Sequence, residues 1–170
     1  MGNVYKVVVA GPFNAGKTEF IRTISDIPIV STERRITDHL RSVKQETTVA
    51  MDYGQVRLEG DLFHLYGTPG QSRFDFMWDI LGREMQAFIL LVDSCDRAGL
   101  VEAKRLIRIF HRNRHIPYLV VANKQDLDRA ISVEAVGKAL GLDDRGLVVP
   151  CVAIKKSSVR NVLKELEPLI

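Results

Sequence analysis

Cysteine is nearly absent: 170 residues hold only Cys95 and Cys151. Two thiols exclude the disulfide framework of small secreted domains and suit a reducing compartment. No spacing of metal-ligating residues stands out either. Long hydrophobic runs are missing, since no stretch reaches the ~18 apolar residues of a membrane span. The segment from Met1 to Lys6 leads into a short apolar run without the charged region, apolar core and cleavage site of a secretory signal. Lys6 stands where a myristoylation signal has Ser or Thr, and residues 167–170 contain no Cys, so no direct membrane anchor is expected. Charge of one sign is also lacking. Twenty-four Lys and Arg against 21 Asp and Glu leave a net +3, too mild for an electrostatic binder of nucleic acid or anionic membrane. The expectation is a soluble cytoplasmic protein with no nucleic-acid partner, whose function lies in motifs.

What is present is a globular composition, 46% hydrophobic and 26% charged. The length fits one domain over residues 1–170, burying roughly 70% of the unfolded surface. Six short apolar, β-branched runs read as strands: 4–10, 49–58, 62–66, 88–92, 118–122 and 147–152. Most are nearly continuous, as in strands covered on both faces of a parallel sheet, whereas 51–58 mixes polar and apolar positions like an edge strand. Helical periodicity fills the gaps. Leu100, Ala103, Ile107 and Phe110 share a face, as do Val133, Val136 and Leu140, and Val159, Val162, Leu163 and Leu166. Ser132 and Ser157 are candidate caps. Alternating strands and helices predict an α/β fold: a six-stranded, mostly parallel sheet with helices on both faces and its ligand site beyond the carboxyl ends of the strands.

Two stretches are irregular, 31–48 and 67–83. The first is rich in charge, and Ile36, Leu40 and Val43 could form one short amphipathic helix. Loops this long in a compact domain tend to be functional or mobile. Arg105, Arg108 and Arg112 share one helical face, which reads as a solvated surface before it reads as a docking patch for an acidic partner.

Chemistry concentrates after the first strand. Gly11-Pro12-Phe13-Asn14-Ala15-Gly16-Lys17-Thr18 fits G-x-x-x-x-G-K-[ST] and is followed by a segment, from Glu19, that can open a helix. Such a loop turns backbone N–H groups around phosphates, with the helix N-terminus adding favourable partial charge. Lys17 reaches the β- and γ-phosphates, and Thr18 supplies a hydroxyl for the Mg²⁺ that bridges them. At the end of the 118–122 strand stands Asn123-Lys124-Gln125-Asp126. The Asp126 carboxylate can accept from both the ring N–H and the exocyclic amine of guanine, a donor pair adenine does not offer. Lys124 can lay its stem along the base, and Asn123 can tie this loop back to the P-loop.

Together with Gly67-Thr68-Pro69-Gly70-Gln71-Ser72-Arg73-Phe74, these motifs resemble the small GTPases of the Ras superfamily. The resemblance implies a P-loop G domain whose second strand is antiparallel to the rest. It implies that Gly70 offers its N–H to the γ-phosphate and that Gln71 orients the attacking water. Gly67 departs from the pattern, because the family has there an Asp that holds Mg²⁺ through water. Thr48, with Thr47 as close competitor, takes the place of the first-switch threonine, a Mg²⁺ ligand whose loop is released on hydrolysis. In Cys151-Val152-Ala153-Ile154, the N–H of Ala153 would meet the guanine oxygen. Thr47-Thr48-Val49-Ala50-Met51-Asp52-Tyr53-Gly54 and the replaced acid at Gly67 are similar to the prokaryotic Arf-like group that includes MglA. That likeness implies a GTP/GDP-dependent switch with effectors and activating proteins, commonly of the roadblock/LC7 type. Phe13, bulky for its place in the P-loop, could hinder an arginine finger and suggests slow hydrolysis. Phe13 and Gly67 also leave open a non-catalytic guanine-nucleotide scaffold.

Overall fold

The computed structural model describes residues 2–38, 45–69, 77–112, 116–142 and 147–170. In chain order these form β1 (Val4–Ala10), α1 (Lys17–Ile24), β2 (Val30–Asp38), β3 (Gln45–Leu58), β4 (Asp61–Gly67), α2 (Met77–Glu84), β5 (Ala87–Asp93), α3 (Arg97–Arg112), β6 (Tyr118–Asn123), α4 (Val133–Ala139), β7 (Val148–Pro150) and α5 (Lys156–Leu166). The strands make one sheet in the order β2-β3-β4-β1-β5-β6-β7. β1 pairs in parallel with β4 and β5, and β6 in parallel with β5 and β7. β3 runs antiparallel to both β4 and β2. The α/β class is the expected one, with the antiparallel strand that the resemblance implied.

The strand count differs from six by β2. Val30–Asp38 pairs with β3 from Val30↔Tyr53 to Asp38↔Gln45, so much of the irregular stretch 31–48 is sheet and Ile36 lies in a strand, not a helix. Leu40 and Val43 fall outside the described residues. Val30, Thr32, Ile36 and Thr37 supply β-branched propensity, and an edge strand tolerates the charges between them because only one neighbour pairs with it. β3 is therefore interior. Its mixed pattern arises because Val56 and Leu58 bury on one face, while on the other Met51 is buried and Arg57 is exposed.

The central strands read as continuous apolar runs because the sheet divides the core in two. Val7 and Val9, Ile89 and Leu91, and Leu119 and Val121 face α1 and α5. Val8 and Ala10, Phe88 and Leu90, and Val120 and Ala122 face α2, α3 and α4. The helical stripes read from periodicity do the covering: Val159, Val162, Leu163 and Leu166 on one side, Leu100, Ala103, Ile107 and Phe110 on the other. At about 25 cal/mol per Å² of apolar surface removed from water, this two-sided burial dominates the stability of the domain. On α3, Arg105 forks onto Glu102 with Nη2–Oε1 2.5 Å, and Arg108 and Arg112 are exposed. Among the described residues, no helix is long and apolar enough to cross a membrane.

Of the two candidate caps, Ser132 receives the Ala135 N–H at 3.1 Å and caps α4. Ser157 does not cap α5. A tight turn, closed by Lys155 N–H on the Val152 carbonyl at 2.9 Å, starts that helix at Lys156 and puts Ser157 inside it. Ser158 turns back instead, its Oγ accepting from Val152 N–H at 2.9 Å.

Candidate functional site

The carboxyl ends of β1, β4, β5, β6 and β7 bring five loops together. After β1, Gly11 has φ 151° and Gly16 φ 101°, and Asn14 takes φ 62°. A Cβ at Gly11 would lie 2.1 Å from the Leu91 carbonyl oxygen, and one at Gly16 2.5 Å from Asn123 Nδ2. Both glycines are required by close approach as well as by backbone conformation. The Lys17 ammonium curls back over the loop and donates to the Gly11 and Pro12 carbonyls at 2.7 and 2.8 Å. Burial pushes its pKa down to about 8, against the opposing pull of the Asp52 carboxylate. Phe20 N–H bonds the Gly16 carbonyl at 2.8 Å and opens α1. Phe13 is 74% exposed at the rim.

The loop after β6 is latched to the P-loop. Asn123, 2% exposed, donates from Nδ2 to the Ala15 carbonyl at 2.9 Å. Its Oδ1 accepts the Ala153 N–H at 2.9 Å. One amide thus joins three loops. Lys124, at φ 64°, donates to the Asn14 carbonyl at 3.1 Å and pairs with Asp93 Oδ2 at 2.6 Å. Asp93 ends β5 and holds Lys124 in place, a role its apolar strand context did not signal. Gln125 Nε2 bonds Ser94 Oγ and the Ile131 carbonyl, fixing the turn, while Asp126 is exposed at the mouth.

Ala153 requires a correction. Its N–H, expected to meet a guanine oxygen, is taken by Asn123, so Ala153 supports the latch. The neighbouring Ile154 is 67% exposed, and Glu19 pairs with Arg22 at 2.7 Å on the surface of α1. Cys151 is buried, and burial pushes its thiol up to about 11.

At the start of α1, Thr18 Oγ1 donates to Asp52 Oδ2 at 2.5 Å. Asp52 lies on β3 directly opposite Gly67 on β4. Only a sequence reading with the strand register in hand would have found it. A Cβ at Gly67 would sit 2.9 Å from Ile21 Cδ1 and 3.3 Å from Asp52 Cβ. Ile21 also covers Gly54, where a Cβ would meet its Cγ2 at 2.6 Å. Gly67 is thus a packing requirement of α1 as well as a missing carboxylate. Thr68 is buried, with its N–H on the Val9 carbonyl at 3.1 Å. Thr47 and Thr48 pair along the backbone with Ile36 and Arg35. Gly70, Gln71, Arg73 and Phe74 lie outside the described residues.

The family model of the ADP-ribosylation factor family matches residues 2–169. An uncharacterized protein of Methanocaldococcus jannaschii is 30% identical over 123 residues, 72% of this chain and 71% of its own. Human ADP-ribosylation factor-like protein 4C is 29% identical over 141 residues, 81% of this chain and 69% of its own. Human ADP-ribosylation factor-related protein 1 is 26% identical over 141 residues, covering 79% and 66%. P-loop, latch and sheet order agree with the family match, and the chain belongs to the ADP-ribosylation factor family as a Ras-superfamily small GTPase of Arf-like type.

Proposed function

We propose that this Arf-like GTPase hydrolyses GTP slowly to GDP and phosphate and passes its nucleotide state to partner proteins through the segments around Thr48 and Gln71. The observation that carries the reading is the Asn123 latch, which couples a P-loop to an Asn-Lys-x-Asp loop within one site. In this reading the P-loop residues Phe13 to Thr18 and Glu19 surround the phosphates, and Lys17 leaves its loop carbonyls for β- and γ-phosphate oxygens. Asp126 selects guanine, Lys124 supports the base, and Ile154 closes the base pocket, with Ala153 holding the latch behind it. Gly70 holds the γ-phosphate and Gln71 positions water, so catalysis is positioning and electrostatics.

Arf- and Ras-like GTPases generally use Mg²⁺ with GTP, and the donors here fit a hard cation: a Thr18 hydroxyl facing the Asp52 carboxylate beside the phosphate loop. When bound, the ion neutralises charge on the β- and γ-phosphates, with Thr18 and Thr48 as its protein ligands. Likeness to the MglA group in 47–54 and 67–71 supports a cytoplasmic switch with roadblock/LC7-type regulators. The alternative, a scaffold that binds without turnover, draws support from Gly67 and from Phe13 at the rim.

Titration with fluorescent GDP, GTP and ATP analogues, with and without Mg²⁺, followed by single-turnover phosphate release, tests the reading. Guanine-selective binding with slow release that falls further in Gln71→Ala is the expected result. Selective binding without release, even with candidate activators, establishes the scaffold. Equal binding of ATP removes the role of Asp126.

A further inference from the structure

Resting on the nucleotide-switch reading, we infer that Asp52, supplied from β3, is the carboxylate of the Mg²⁺ site in this chain and replaces a side chain at position 67. The argument starts from register. Asp52 and Gly67 are directly opposed in the antiparallel β3–β4 ladder, and such cross-strand neighbours project to the same face within about 5 Å of each other. The position where a Cβ at 67 would stand is 3.3 Å from Asp52 Cβ and 3.8 Å from Asp52 Oδ2. Asp52 therefore covers the spot that a residue at 67 would have reached.

Room points the same way. Ile21 Cδ1 lies 2.9 Å from that Cβ position, so α1 packs where a side chain at 67 would begin. The carboxylate also meets the residue that matters for a cation. Thr18, in the P-loop motif, sends its hydroxyl to Asp52 Oδ2 at 2.5 Å. Mg²⁺ is usually held through one or two carboxylates and fills its octahedron with waters and substrate phosphates, so a single carboxylate beside the threonine hydroxyls is a sufficient protein share. Among the described residues, no cluster of three or more His, Cys, Asp or Glu offers a competing site. Moving the acid by one strand preserves the chemistry while freeing position 67 for the approach of α1.

The test reads the metal and not turnover. Release of a fluorescent GDP analogue is followed while free Mg²⁺ is varied with a chelator, and Mn²⁺ affinity of the GDP complex is measured by electron paramagnetic resonance. Asp52→Asn keeps the shape and the acceptor toward Thr18 but removes the charge. Expected is at least a tenfold rise in the Mg²⁺ concentration that half-maximally slows GDP release, with a matching loss of Mn²⁺ affinity. A midpoint within threefold of the wild type overturns the inference. Asp52→Gly combined with Gly67→Asp, and with Ile21→Val to remove the obstructing methyl, returns the acid from the other strand and is expected to recover most of the loss. A folded swap variant that binds Mg²⁺ no better than Asp52→Asn shows that a carboxylate at this spot does not serve the ion and refutes the metal role. Failure of the wild-type chain to bind guanine nucleotide removes the underlying reading and this one with it, whereas Mg²⁺-dependent binding indifferent to Asp52 removes this one alone.

Discussion

Asn123→Ala is the substitution whose cost the geometry defines best. The side chain is 2% exposed, and both of its partners belong to buried residues, Ala15 and Ala153 at 1% and 5%. Truncation leaves one carbonyl and one N–H without their 2.9 Å partners. A buried backbone group so orphaned costs about 1–3 kcal/mol, so the pair predicts about 2–6 kcal/mol. Against the 5–15 kcal/mol typical of a domain, this is a large share. At roughly 2–4 °C per kcal/mol for a chain of this size, the midpoint of thermal unfolding should fall by about 4–24 °C. Trp78, the single tryptophan, is 3% exposed and edge-on to Phe88 and Phe110. Its emission reports urea unfolding without a label, and the nucleotide is stripped first because ligand binding would mask the difference. Asn123→Asp adds a second reading. It keeps the acceptor for Ala153 N–H but sets an oxygen against the Ala15 carbonyl. Its deficit should be largest at neutral pH and shrink on acidification, as the protonated carboxyl regains a donor. An Asn123→Ala protein whose stability lies within about 0.5 kcal/mol of the wild type would refute the latch.

Gly16→Ala should break the same latch from the other side. It forces a Cβ to 2.5 Å from Asn123 Nδ2 at φ 101°, and the expected result is destabilisation of about 1–3 kcal/mol together with faster loss of bound fluorescent GDP. Ser132→Ala removes the α4 cap and should cost about 1 kcal/mol in urea unfolding. Native protein at pH 8 should expose Cys95 to a thiol reagent well before Cys151, whose thiol, pushed up to about 11, is almost wholly protonated; equal rates would contradict its burial. The raised value has a sign for stability as well. The unfolded thiol ionises near 9 and the folded one near 11, so stability present below pH 9 declines as pH rises between them, a slope that Cys151→Ala should remove.

The central strands and helical stripes were legible because residues 7–10 of β1, 87–92 of β5 and 119–122 of β6 bury against one or other half-core, a condition written in composition alone. The tie from Asn123 to the P-loop was legible because backbone-tied loops keep fixed spacing. β2 was not, since an edge strand lacks the apolar signal of its neighbours and its pairing with β3 depends on a remote segment. Asp52 was quoted in its motif yet without a role, because the role comes from register with Gly67, and register is a property of two strands. Ala153 was misread for a related reason. Its partner Asn123 is thirty residues away, and nothing local says which of several N–H groups in the 151–154 turn that amide will take.

β1 carries the phosphate loop, but its pairing partners lie at 61–67 and 87–93. A chain emerging from the ribosome in order therefore holds its first strand unpaired until β4 has been made, and central in the sheet only after β5. The loop stays unlatched longer still, until Asn123 and then Ala153 have been added. Assembly of the nucleotide pocket thus waits on Asn123, 108 residues beyond Ala15, and such long sequence separations slow folding. A chain stalled short of Ala153 would carry every phosphate-loop residue and lack the N–H that steadies its latch.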